Sequence, residues 1–242
     1  MKLESTAVIM DGDAFYTRTE AEPTHNFGET VRLADGREFR YVKAGAAALA
    51  AGKLSTAPVP IANHVNMACA AATAGTFLVT VTPGATGGAA NIYAEGYLCI
   101  NDVDGEGQTY KIKSHPAITA SVAFTVTLFD PIATALTANS EATLVHNSYN
   151  GVVEGVSTTV KPAGVPLIAI AIGDFGWVQT KGIASVLSQG TTSQAAPLMA
   201  GSVAGSVTDQ TDVTAPITQY WVGRALINGV DTEYRPVYLD IA

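Results

Sequence analysis

The chain reads as mainly β: an antiparallel β-sandwich or barrel-like body with an extended N-terminal arm and few short helices. Three observations predict this. Short apolar runs alternate with period two and are rich in Val, Ile, Thr, Tyr and Phe. Pro, Gly, Asn and Thr punctuate those runs at short spacing. Segments with helical character are few and short.

The elements follow in chain order. Met1 to about Gly28 carries scattered charges and little periodicity; Thr6 to Met10 reads as a short strand and Thr17 to Asn26 as a loop. Val31, Leu33, Phe39 and Tyr41 alternate on either side of Ala34-Asp35-Gly36, a hairpin signal with Asp-Gly in the turn. Gly45 to Leu54 is a small-residue tract, with one or two helical turns or an irregular arm as alternatives over Ala44 to Ala51. A helix that short needs a surface to lean on.

From Ser55 the expected strands are Phe77–Thr82, Ile92–Ile100, Tyr110–Lys113, Val122–Phe129, Ala142–Val145, Val152–Val156 and Val165–Ile172. Trp177–Lys181, Ile183–Leu187, Tyr220–Ile227 and Pro236–Ile241 complete them. Pro131 to Ala138 is a second helix candidate, with Asp130 as N-cap and Pro131 in the first turn. Gln189 to Ser206 reads as a long loop. The expected organisation is therefore an arm with a hairpin and Ala/Gly-rich tract over residues 1–54, and a β-rich body over residues 55–242.

Composition narrows the function classes. Of 242 residues, 48% are hydrophobic, enough for a sizeable core, and only 14% are charged, against roughly 25% on average. Ser55 to Ala94 and Gly182 to Thr208 contain no charged residue. Either their Thr, Ser, Asn and Gln hydrate them, or they pack against another chain, since interface cores are depleted in charge. The net charge is −8, and the densest basic group, Arg32, Arg37, Arg40 and Lys43, is interleaved with Glu29, Asp35 and Glu38. Nucleic-acid binding runs on basic stripes, so no nucleic-acid partner is expected. No run approaches the roughly 18 apolar residues of a membrane helix, and Met1-Lys2-Leu3-Glu4 opens no signal-peptide stretch. The expectation is synthesis in a cytosol, no membrane partner, and two reduced cysteines, Cys69 and Cys99, in apolar surroundings. They would pair only if their strands were adjacent.

Chemistry-bearing constellations are weak. Asp102, Asp104, Glu106 and Gly107 resemble a fragment of a calcium loop, but counting from Asp102 puts Lys113 where the bidentate Glu belongs. A polar hairpin turn is the better reading. His25, His64, His115 and His146 are isolated, without zinc-like spacing. There is no G-x-S-x-G elbow and no Walker A motif, and no spacing marks two carboxylates as partners. A non-enzymatic protein without cofactor or metal is expected. In Phe175-Gly176-Trp177-Val178-Gln179-Thr180-Lys181-Gly182, Trp177 reads first as core and second as an interface anchor, with Gln179 and Lys181 alternating outward.

Asp35-Gly36-Arg37-Glu38-Phe39 with Tyr41, followed by Gly45 to Leu54, resembles the N-terminal region of a group of tailed-bacteriophage virion proteins. Phe175 to Gly182 supports the resemblance, as do Gly96-Tyr97-Leu98, Gly105, Gly107 and Tyr110-Lys111-Ile112. The resemblance implies a capsid decoration or cement protein on the outer surface of the head, with the major capsid protein and further copies of itself, as a homotrimer, for partners. Val31, Leu33, Phe39, Tyr41, Leu49, Leu54, Trp177 and Gln179 are the residues expected at the interface. The alternative is a tail-fibre or receptor-binding β-module; a calcium-binding lectin or β enzyme is a third reading, disfavoured by the missing site motif.

Overall fold

A computed structural model describes residues 15, 19–155, 160–210 and 220–241. The expected strand Thr6–Met10 lies outside them. Among the described residues the fold is almost entirely β, with one three-residue 3-10 turn at Ala62–His64. No helix there is long and apolar enough to cross a membrane.

The strands are β1 (Thr30–Arg32), β2 (Glu38–Ala44), β3 (Ser55–Thr56), β4 (Met67–Cys69), β5 (Leu78–Thr82), β6 (Tyr97–Asp102), β7 (Thr109–Ser114) and β8 (Phe124–Leu128). They continue as β9 (Glu141–Val145), β10 (Asn150–Glu154), β11 (Pro162–Pro166), β12 (Phe175–Leu187), β13 (Pro197–Ala200), β14 (Val207–Asp209), β15 (Trp221–Ala225) and β16 (Tyr234–Asp240).

The chain divides elsewhere than at residue 54. One compact unit comprises residues 1–58 and 151–242; the other, residues 59–150, is an insertion within it. The expected arm is thus corrected: from Thr30 on it supplies strands of the first unit. The physical reason lies in the hairpin. Val31 pairs with Phe39 across the turn, as the alternation predicts, but β2 then has a free edge, and β12 fills it from Phe175↔Lys43 to Lys181↔Glu38.

In the first unit the strand order is β1-β2-β10-β3-β11-β12-β16-β15-β13-β14. The additional β2–β12 pairing closes the run from β2 to β12 onto itself. Two expected strands, Trp177–Lys181 and Ile183–Leu187, form one 13-residue strand, β12. Its first half pairs with β2 and its second, from Lys181, with β16. Gly182 sits at the change of partner with φ +88, and an added Cβ would lie 2.9 Å from Cγ of Arg37. A glycine beside a bulge lets a strand bend and change neighbours without breaking. Beyond β16, Leu198, Val207, Val222, Val237 and Leu239 form a core with Leu54 and Val165. Part of the expected Gln189–Ser206 loop is strand, because β13 pairs with both β14 and β15.

The inserted unit is a closed six-stranded barrel of order β4-β5-β8-β7-β6-β9. Val79, Val81, Leu98, Ile112, Val126 and Leu128 alternate inward and fill it. The expected strand start at Ile92 moves to Tyr97, because residues 91–95 form a turn.

Neither expected helix is present. In the small-residue tract, Leu49 and Ile170 exchange backbone hydrogen bonds of 2.9 and 3.0 Å. The backbone is therefore satisfied by a distant segment, and Val165–Ile172 gives a strand only as far as Pro166. In Pro131–Ala138, the N–H of Ile132 donates to Thr76 and that of Leu136 to Ala72, while both side chains enter the barrel core.

Candidate functional site

The expected interface residues are brought together, but mostly inside. Val31, Phe39, Tyr41 and Trp177 are buried with Phe15 and Phe175 in one aromatic cluster, and Leu33 packs partly buried against it. Phe15 stacks on Phe39 with centroids 4.1 Å apart, and Tyr41 meets the Trp177 ring edge-on at 5.1 Å. The Tyr41 hydroxyl donates to Glu20 Oε2 at 2.7 Å and accepts from the Thr24 N–H at 3.2 Å; burial raises its pKa. Leu49 and Leu54 are buried too. These side chains hold the first unit together and are not available to another chain. Alternation alone shows that one face of a hairpin is apolar; it does not show that β12 of the same chain covers it.

Gln179 was expected to point outward, but it is fully buried. Its Nε2 donates to the carbonyls of Lys181 and Ile183 at 2.9 and 3.0 Å, bracing the bulge of β12. Its Oε1 accepts no hydrogen bond among the described residues. Gln179 also forms part of an open groove of about 410 Å³ with Arg37, Leu167, Ile183, Ser185 and Tyr234.

The exposed apolar surface lies elsewhere. On the first unit, Ile183 pairs with Tyr238, and Tyr238 with Arg224, so the three form a row across β12, β16 and β15. Ile183 is 60% exposed and Tyr238 43%. Trp221 lies beside this row, with the Arg224 guanidinium 5.3 Å from its ring centroid, and Tyr234 is exposed further along β16. On the inserted barrel, Val145 pairs with Tyr97 and Tyr97 with Lys111, and the Phe129 N–H donates to the Lys111 carbonyl at 3.0 Å. The Lys111 ammonium is 5.4 Å from the Phe129 ring centroid. Each row combines large apolar side chains with one cation, and the aromatic and Arg content of the first is the composition enriched at protein interfaces. Their assembly into rows depends on register between distant strands.

Other candidates resolve locally. Asp102 Oδ1 accepts from the Val103 N–H at 2.9 Å and Asp104 Oδ2 from the Thr137 hydroxyl at 2.9 Å, both typical of a tied turn. Among the described residues no group of three His, Cys, Asp or Glu is placed to hold a metal ion. Cys69 and Cys99 are free thiols on β4 and β6, which are separated by β9. Burial, with Glu141 adding, pushes the Cys69 thiol up to about 11. His64, His115 and His146 are isolated in sequence but meet around Tyr93 in the inserted barrel.

One charged group escaped the sequence reading. Arg235 on β16 is 2% exposed, and its only ion-pair partner among the described residues is Asp209, with Oδ1 3.9 Å from Nη2. Burial lowers its pKa, partly offset by the Asp209 charge. The Arg-Pro-Val-Tyr context carries no signal that Arg235 would face inward beyond its alternation with Tyr234.

Compared with protein-family models, curated proteins and solved structures, the chain matches none.

Proposed function

We propose that this chain is a non-enzymatic structural protein of a tailed-bacteriophage particle, binding the outer capsid surface as a homotrimer and cementing the head lattice. The observation that carries the reading is the exposed row of Ile183, Tyr238 and Arg224 with Trp221 alongside. A contiguous apolar surface on a soluble face marks a contact site, and its aromatic and Arg content suits protein partners. The charge-poor tracts and the resemblance of Asp35 to Leu54 and of Phe175 to Gly182 to virion proteins support the same reading. The pairing of β2 within its own chain favours this sheet face over the hairpin as the point of attachment. Repetition over a lattice turns weak single contacts into strong retention.

The test is quantitative mass spectrometry of purified particles from the source. A copy number equal to that of the major capsid protein, or a simple fraction of it, is expected. A handful of copies per particle would transfer the chain to the tail-fibre or receptor-binding class; absence from the particle would overturn the virion reading.

A further inference from the structure

Three histidines converge on one tyrosine inside the inserted barrel. Tyr93 and His64 are fully buried and His115 is 4% exposed. His146 stacks on Tyr93 with centroids 4.2 Å apart, and His64 and His115 approach the same ring at 5.6 and 5.7 Å. The three come from separate elements: the 3-10 turn, the end of β7 and the end of β9.

Hydrogen bonding sets the proton on each ring. His64 Nε2 lies 2.9 Å from the Thr86 carbonyl, which can only accept, so Nε2 carries the hydrogen. Its Nδ1 then accepts from the Tyr93 hydroxyl at 2.6 Å. His115 is the opposite tautomer: Nδ1 donates to the Pro116 carbonyl at 2.7 Å, and Nε2 accepts from the Tyr93 N–H at 3.1 Å. His146 Nδ1 donates to the Ile92 carbonyl at 3.1 Å, and its enclosed Nε2 has no partner among the described residues. His64 and His115 are fully hydrogen-bonded as neutral imidazoles, and neutral His146 leaves only the Nε2 acceptor unpaired. A second proton on His115 would point at the Tyr93 N–H, donor against donor. On His146 it would be a buried donor without an acceptor.

The charges that act on these rings are mainly one another's. His64 acts on His115, and His64 and His115 both act on His146, each unfavourably to a second charge. Phe124 of β8 faces His115 edge-on at 5.9 Å and offers no counter-charge. Lys113 of β7 is exposed, and the acidic residue of the Tyr93 turn is Glu95.

We propose that the inserted unit is an acid-sensitive module, closed while these histidines are neutral and opened when His115 and His146 take up protons. Burial, partly offset by the carbonyl bonds, holds both below the ordinary histidine value. An opened unit binds protons that the closed unit refuses. The stability of the closed form is therefore full above about pH 6.5 and is lost as pH falls below it. The histidines of the cluster supply the trigger, and the barrel wall that carries them is the element that gives way.

The test is hydrogen exchange of the full chain between pH 7.5 and 5, corrected for the intrinsic pH dependence. Below pH 6.5, peptides from residues 59–150 should show an opening equilibrium rising up to about 100-fold per pH unit, the slope for two protons taken up. Peptides from residues 160–210 should not rise in step. His115→Gln keeps an acceptor and a donor, and His146→Phe keeps the stack on Tyr93; each should reduce the slope to about 10-fold per unit. Where a variant fails to fold at pH 7.5, imidazole proton NMR of the unaltered chain decides. Resonances of His115 and His146 titrating below the ordinary histidine value of about 6.5 support the proposal. Titration of both near the ordinary value, equal response of the two units, or no response at pH 5 would overturn it.

Discussion

Tyr93, Cys69 and Arg235 show how single side chains acquire properties from burial. The Cys69 thiol, raised to about 11, stays protonated at neutral pH and points into the barrel core. Cys99, on the same barrel, is only partly buried and lies 3.7 Å from the Thr109 hydroxyl. Since the thiolate is the reactive form, an alkylating reagent at pH 7.5 should modify Cys99 well before Cys69 in the folded chain; peptide mapping over time reads the order, and equal rates would contradict the burial of Cys69. Arg235 allows a sharper comparison. Asp209→Asn removes the counter-charge and leaves a buried guanidinium uncompensated, at an expected cost of about 3 kcal/mol. Arg235→Met removes the charge while filling most of the space, and should be near neutral or stabilising. Denaturant midpoints for the two variants should therefore shift in clearly different amounts; equal losses would mean that the ion pair is not what matters there.

At the level of elements, the hairpin was the most legible feature, and its role was the least. Alternation of Val31, Leu33, Phe39 and Tyr41 locates β1 and β2, and the backbone N–H of Arg37, with its guanidinium, holds the turn residue Asp35 below the usual carboxylate range. What alternation does not carry is the identity of the covering strand, here β12, some 135 residues further along the chain. The same limit explains both missing helices: Leu49 and Leu136 make their backbone bonds with Ile170 and Ala72, partners that no local window contains. Two consequences can be measured. A chain starting at residue 55 lacks β2, so the first half of β12 loses its ladder and the aromatic cluster loses Phe39 and Tyr41; its first unit should not fold, and far-ultraviolet circular dichroism with hydrogen exchange would show it. Residues 59–150 form a closed barrel with their own core, which is the condition for independent folding. That fragment should give a cooperative thermal transition, and a non-cooperative melt would tie it to the first unit.

For the whole molecule, the question is which surface meets other molecules. Apart from the partly buried Leu33, the side chains expected at an interface are core; on the proposed reading the exposed row Ile183, Tyr238 and Arg224 takes their place. Ile183→Thr with Tyr238→Thr replaces two exposed cross-strand partners by polar residues that suit a strand and should change stability by no more than about 1 kcal/mol. On the proposed reading the pair should reduce retention on purified particles at least tenfold, measured by co-sedimentation; undiminished retention would exclude this face. Composition and period-two alternation were enough to determine that the chain is mainly β, where most strands run, and that Ser55 to Ala94 contains no Asp, Glu, Lys or Arg. Those are properties of neighbouring residues, and local backbone geometry follows from them. Tertiary structure alone decided that the chain forms two units divided near residues 58 and 151, that His64, His115 and His146 share one tyrosine, and that Gln179 faces inward. Each depends on register between strands far apart in sequence, which is set by the packing of the whole core.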